Sequence, residues 1–173
     1  MTATQTYYTV LSSPIDELLL VGDGTHLTGI YMDEHADGPG IGPDWQRDDA
    51  PFADAIAQLQ AYFAGECTAF DLPLAPRGTP FQQRVWQALG EIPYGQTVSY
   101  AEIARRIGQP NAVRAVGRAN GSNPISIVVP CHRVIGSSGS LTGYGGGLDR
   151  KRWLLAHEAN VVAQGSSSMR TKP

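Results

Sequence analysis

The 173 residues suffice for one sizeable core or two small domains. No run of eighteen apolar residues and no signal-peptide pattern points to a bilayer or to export, so the expectation is a cytoplasmic protein without a membrane partner. The net charge of −3 conceals a division: residues 1–76 carry one base against twelve acids, and residues 77–173 carry twelve bases against four acids. Such a split suits a C-terminal half that meets a polyanion, or two halves that attract one another. Only Cys67 and Cys131 are cysteines, and the four histidines lack His-x-x-x-His spacing, which speaks against a metal site.

Tyr7–Leu11, Leu18–Val21 and Leu27–Tyr31 are predicted strands, separated by turns at Pro14 and at Gly22-Asp-Gly24. Residues 36–50 read as a loop anchored by Trp45. Phe52, Ile56, Leu59 and Phe63, spaced by three and four, predict a helix from near Pro51 to Gly65. Phe70–Leu74 follows as a further strand. This front unit offers no nucleophile, ligand cluster or phosphate loop, and Cys67 reads as structural.

Residues 73–78 are a linker, giving an N-terminal unit of residues 1–76, a second unit of 77–163 and an unstructured tail of 164–173. Thr79-Pro80-Phe81-Gln82 combines a capping box with proline at the first helical position, and Phe81, Val85 and Leu89 line one face as far as Gly90. Ser99 and Glu102 suggest a second capping box, opening a helix that carries Ile103 and Ile107 inward and stops at Gly108. Past Gln109-Pro110, Asn111 is placed to cap a helix over 112–120. Two capped helices joined by a short turn containing Gly have the layout of a helix-turn-helix. The second is built of small residues except Arg114 and Arg118, which lie four apart on one face. That face suits phosphates or a base stack, or is a solvated basic stripe.

The run Ile125–Val129 predicts a buried strand ended by Pro130, with Cys131, His132 and Arg133 at its exit. A free thiol ionises near pH 8.5, roughly, and a neighbouring cation or hydrogen-bonded His makes the nucleophilic thiolate available at neutral pH. A small buried cysteine is the commoner fate of such a residue. Residues 136–147 are rich in glycine but form neither a dinucleotide fingerprint nor a P-loop, and read as a mobile lid. A last helix over 149–159 carries Trp153, Leu154 and Leu155 for packing. Glu158 is the only acid after Asp149, and so the natural partner of His132 in a Cys-His-acid relay.

Pro130-Cys-His-Arg-Val134 resembles the active-site motif of the O6-alkylguanine-DNA alkyltransferases. The similarity continues through Phe81-Gln-Gln-Arg-Val-Trp86, Ile92-Pro-Tyr-Gly95, Ser99-Tyr100, Arg114-Ala-Val-Gly117, Asn123-Pro124 and Leu141-Thr-Gly-Tyr-Gly-Gly-Gly147. It covers most of residues 79–160. The resemblance implies an α/β N-terminal ribonuclease-H-like domain and a mostly α C-terminal winged helix-turn-helix domain. It implies stoichiometric transfer of the alkyl group of O6-alkylguanine, or O4-alkylthymine, to Cys131, with no cofactor, on a nucleotide flipped out of the duplex. His132 would take the thiol proton through a water, Glu158 would orient and charge the imidazole, and Tyr100 would donate towards guanine N3. Asn123 would brace the turn beneath the nucleophile. Backbone groups of Val134 and Gly145 would read the base, with Tyr144 walling the pocket. Arg114 would fill the gap left by the flipped nucleotide from the minor groove, and Arg118, Ala112 and Ser99 would also contact DNA. The implied partner is double-stranded DNA, met by a monomer that can cluster along it. Two other readings are a lesion-binding relative without chemistry, against which Cys131 counts, and a thiol hydrolase, which leaves the basic helix-turn-helix without a purpose.

Overall fold

A computed structural model describes residues 4–32, 40–141 and 147–170, with side chains through residue 165. The three predicted strands form at Tyr7–Leu11 (β1), Leu18–Gly22 (β2) and Leu27–Met32 (β3), antiparallel in the order β3-β2-β1. Alternation buries Leu18 and Leu20 of β2 and Ile30 and Met32 of β3, and Leu27, beyond a register shift, joins them in one core with Ala55, Leu59 and Tyr62 of the helix Ala53–Phe63 (α1). The inward stripe of α1 is therefore 55, 59 and 62, and Ile56 and Phe63, expected inside, are only partly buried. Gln46–Arg47 (β4) adds to the far edge of β1 in parallel, held by Gln46 N–H to the Thr6 carbonyl at 2.9 Å. Two exposed polar residues carry no alternation to announce a strand, so the sequence placed them in a loop.

The outer edge of β3 is shared by two later segments. At one end Leu27 exchanges hydrogen bonds with the linker, donating to Pro73 O (2.8 Å) and accepting from Ala75 N (2.9 Å). The expected strand Phe70–Leu74 reduces to one bridge at Leu74, because Pro73 has no N–H to extend a ladder. At the other end Ile30 donates to Pro124 O (2.8 Å) and accepts from Ser126 N (3.3 Å). A sheet edge of the first unit thus grips the chain just ahead of Cys131, and covering that edge also protects it from pairing with another chain.

In the second unit, Pro80–Gly90 (α2) starts with the complete Thr79/Gln82 capping box. Tyr100–Arg106 (α3) has only half of its box: Ser99 Oγ accepts from Glu102 N (3.1 Å), while the Glu102 carboxylate turns to Arg105 and Arg106. Gly108, at φ 77°, ends that helix in the left-handed region. Val113–Gly121 (α4) follows with Ala112 as its N-cap and no side-chain cap, so Asn111 does not play the expected part. Val85, Leu89, Ile103 and Val116 bring the three helices together in the core. Val98–Ser99 (β5) and Val134–Ile135 (β6) pair in parallel, joining the start of α3 to the segment just after Cys131. The final helix, Leu148–Arg170 (α5), outruns its expected span, so residues 164–170 continue the helix rather than form a tail. Among the described residues no helix is long and apolar enough to cross a membrane.

The expected strand over 125–130 does not form. Ile125 makes one bridge with Ile30, and the chain then folds on itself through Val128 N to Ser126 O (2.8 Å), Val129 N to Ile125 O (3.0 Å) and Cys131 N to Val129 O (2.8 Å). Ile127 sits at φ 73°, a position costing a β-branched residue on the order of 1–3 kcal/mol. Ile125, Ile127 and Val129 are buried in the seam between the units, and that burial, rather than a ladder, explains the apolar run. Beyond β6, Gly139 N to Gly136 O (2.8 Å) and Gly136 N to Ser140 O (2.9 Å) close a turn in the segment expected as a lid.

Candidate active site

Cys131 opens a single 3-10 turn, Cys131–Arg133, rather than ending a strand. It is 4% exposed, and its carbonyl accepts from Asn120 Nδ2 at 3.4 Å. His132, next along the turn, is fully buried and places Nε2 2.7 Å from Glu158 Oε2. An ionised carboxylate can only accept, so the ring proton belongs on Nε2 and Nδ1 carries the bare lone pair. Nδ1 meets no protein partner among the described residues.

Glu158 is likewise fully buried, on α5, and accepts more than the His132 bond. Arg133 donates from Nε to Oε1 (2.8 Å) and from Nη2 to Oε2 (3.1 Å), Gly95 N donates to Oε1 (3.1 Å), and the Tyr62 hydroxyl donates to Oε2 (2.7 Å). Burial alone would raise the pKa of this carboxyl. The hydrogen bonds and charges of His132 and Arg133 outweigh it and hold Glu158 well below the usual carboxylate range. Burial pushes His132 in its own neutral direction, below its ordinary value, against the pull of Glu158. The third Arg133 nitrogen, Nη1, donates to Ile92 O (2.8 Å), and the guanidinium lies 5.5 Å from the Tyr94 ring centre. Arg133 is thus the counter-ion of the acid, not of the thiol.

Asn123 is 1% exposed and spans the folded segment, donating to Val129 O (2.8 Å) and accepting from Ile125 N (3.1 Å). Val134 is fully buried, and its carbonyl takes the Lys151 Nζ donor at 2.6 Å. Lys151 is itself fully buried; burial lowers its ammonium from the ordinary range, and neighbouring Cys131 works the other way. Tyr100 is half-buried at the start of α3, facing Gly117 of α4. Arg114 and Arg118 stand exposed on α4, with Ala112 and Ser99 half-buried nearby in the sequence of the helical hairpin. The structure therefore gathers Cys131, His132, Glu158, Asn123 and Val134 into one buried cluster and leaves the two arginines on the surface. Tyr144 and Gly145 lie outside the described residues. No group of three or more His, Cys, Asp or Glu able to hold a metal occurs among the described residues.

Residues 80–160 match the model of the 6-O-methylguanine DNA methyltransferase, DNA binding domain, and residues 6–76 match the ribonuclease-like domain of the same enzymes. The chain belongs to the 6-O-methylguanine DNA methyltransferase family. It is 58% identical over 152 residues to the methylated-DNA–protein-cysteine methyltransferase of Mycobacterium tuberculosis strain H37Rv, covering 88% of this chain and 92% of that one. The corresponding protein of Methanosarcina acetivorans is 51% identical over 154 residues, covering 89% and 99%. Among solved structures, Mycobacterium tuberculosis OGT in complex with DNA superposes with a TM-score of 0.85 at 56% identity, over 90% of this chain and 94% of that one. The methyltransferase accordingly has a ribonuclease-like N-terminal domain and a DNA-binding C-terminal domain.

Three residues of this methyltransferase's site escaped the sequence reading. Lys151 had a visible signal: with Leu154 and Glu158 it forms an i, i+3, i+7 stripe, all fully buried, so its charge had to be inside. Tyr62 and Gly95 had none, since each reaches Glu158 across 96 and 63 positions of chain.

Proposed function

We propose that Cys131 is the alkyl acceptor through which this methyltransferase repairs alkylated DNA. The observation that carries the reading is His132, the residue next to Cys131, locked through Nε2 onto Glu158 at 2.7 Å, with Nδ1 left without a protein partner among the described residues. A water between them passes the Cys131 proton to Nδ1, and Glu158 stabilises the imidazolium that results. The thiolate attacks the alkyl carbon on guanine O6. The carbon–sulfur bond forms as the carbon–oxygen bond breaks, and the electron pair stays with the purine. Tyr100 supplies a proton towards guanine N3 so that the base leaves neutral. The O4-alkyl group of thymine can be displaced in the same way.

Displacement onto the protein's own sulfur requires no cofactor. The product is a thioether that water does not hydrolyse, so each molecule acts once. Asn123 supports the turn beneath the nucleophile, and backbone groups of Val134 and Gly145, with Tyr144, form the base pocket. The methyltransferase meets double-stranded DNA from the minor groove as a cytoplasmic monomer. Arg114 enters the space of the flipped nucleotide, and Arg118, Ala112 and Ser99 lie along the backbone. The functional division falls at residues 1–76 and 77–163.

Intact-mass measurement after mixing with an O6-methylguanine oligonucleotide tests this directly. The expected result is a gain of one methyl group per chain, lost in Cys131→Ala. No gain on the wild type, or a gain that survives Cys131→Ala, would overturn the assignment.

A further inference from the structure

Glu158 Oε2 receives two bonds of equal length, 2.7 Å from His132 Nε2 and 2.7 Å from the Tyr62 hydroxyl. Tyr62 belongs to α1 of the N-terminal domain, is fully buried, and among the described residues is the only donor to this carboxylate from residues 1–76. Its ring is held from several sides: Phe63 at 5.3 Å, Phe70 at 5.6 Å, Tyr94 at 6.1 Å and His157 at 5.4 Å between centroids. The backbone carbonyl of Tyr62 is also fixed, accepting from the His157 ring at 2.8 Å. A hydroxyl on so constrained a ring cannot swing to another acceptor.

We propose that Tyr62 is a positioning residue for the proton relay, drawing negative charge from the carboxylate oxygen that faces His132 and so setting how strongly that imidazole holds a proton. This rests on the reading of Cys131 as the alkyl acceptor and His132 as its base. The charge on Oε2 is what holds a proton on the ring, and each further donor on the same oxygen, Tyr62 at 2.7 Å and Arg133 Nη2 at 3.1 Å, spreads it. Less retained charge leaves a larger neutral fraction of His132 able to accept the thiol proton. Through this hydroxyl the N-terminal domain reaches the proton relay itself.

The groups that face the His132–Glu158 pair come from four parts of the chain. They are Lys151 and His157 from α5, Arg133 and Cys131 from the 3-10 turn, Tyr94 and Gly95 N–H from the turn after α2, and Tyr62 from α1. Of the two tyrosines, Tyr62 is the one whose hydroxyl bonds Glu158, and it can lose that bond with almost no change of shape. Tyr62→Phe removes one oxygen, and 3-fluorotyrosine placed at position 62 makes the same donor stronger.

The test is the rate of adduct formation on Cys131 as a function of pH, measured by rapid quench and intact mass on the full chain with an O6-methylguanine oligonucleotide. Tyr62→Phe should move the acidic limb up by about one pH unit, because the undiluted carboxylate holds the proton on His132 more tightly. The 3-fluorotyrosine protein should move it down, and this arm carries the test alone if Tyr62→Phe does not fold. Phe63→Leu, a packing change beside Tyr62 in contact with Trp153, should lower the melting temperature without moving the limb. An unmoved limb in the fluorinated protein and in folded Tyr62→Phe would reduce Tyr62 to packing and overturn the proposal. A wild type with no adduct on Cys131 would instead bring down the reading beneath it.

Discussion

At the scale of single residues, the site is a negative charge buried on purpose. Five hydrogen bonds converge on the Glu158 carboxylate, and removing one partner from a buried pair of this kind typically costs about 3–5 kcal/mol. Arg133, which in the sequence stands beside the thiol and looks like its activating cation, is committed instead to the acid 25 positions later. Along the turn, the residue next to the thiol is a His132 that burial holds towards its neutral form. Protonation follows the same geometry. Both His132 and Glu158 titrate in the folded protein below their ordinary values of 6.5 and 4.5, so the folded state binds fewer protons than the unfolded chain. Stability is therefore complete above pH 6.5 and falls on acidification, first as His132 of the unfolded chain takes up protons and again below 4.5 as its carboxylate does. Urea titrations across this range should show the first decline in the wild type and a flatter curve between pH 6.5 and 5, roughly, in His132→Gln. An identical slope in the two proteins would mean that His132 takes up its proton over the same pH range in the folded and unfolded states.

At the scale of elements, α4 is the part through which the proposed function meets DNA most directly. Its inward face is Val116, Ala119 and Asn120, and Arg114 and Arg118 stand on the other side, exposed. Arg114→Ala should slow repair of duplex by about tenfold or more, equivalent to roughly 1.4 kcal/mol of activation free energy, while leaving reaction with free O6-methylguanine base nearly unchanged. Equal slowing of both reactions would remove Arg114 from the flipped-nucleotide position. The helices and their starts were readable in the sequence because capping is local: Thr79 and Gln82 identify the beginning of α2 within four residues. The run from Ile125 to Val129 was readable as buried but not as a folded turn. Burial and β-branching are common to both, and one decisive partner, Ile30, belongs to a distant strand. For the same reason Cys131, His132 and Glu158 could be found by residue type and elimination. The Tyr62 hydroxyl could not, since α1 periodicity shows which side is inside and not what waits there.

At the scale of the whole molecule, the opposed charges of the two halves do little at the seam. Arg150 with Asp16 is the one oppositely charged Arg or Lys pair across it among the described residues, with Asp16 72% exposed. The seam is made instead by the β3 edge holding residues 124–126, by Tyr62 on Glu158, by His157 on the Tyr62 carbonyl, and by Phe63 against Trp153 at 5.8 Å. Positive charge in the second domain is thereby left on the surface, at Arg84, Arg105, Arg106, Arg114 and Arg118, where a polyanion can neutralise it. A seam built from buried hydrogen bonds and a core shared by both halves also couples their folding. Neither unit can open without exposing the Glu158 carboxylate or the uncovered edge of β3, so unfolding should be a single cooperative step. The three tryptophans divide usefully, with Trp45 in the N-terminal domain and Trp86 and Trp153 in the C-terminal one. In protein labelled with 5-fluorotryptophan, all three native fluorine signals should disappear at the same urea concentration. Earlier loss of the Trp45 signal would show that the ribonuclease-like domain melts alone, and that its hold on the active-site turn is looser than these hydrogen bonds require.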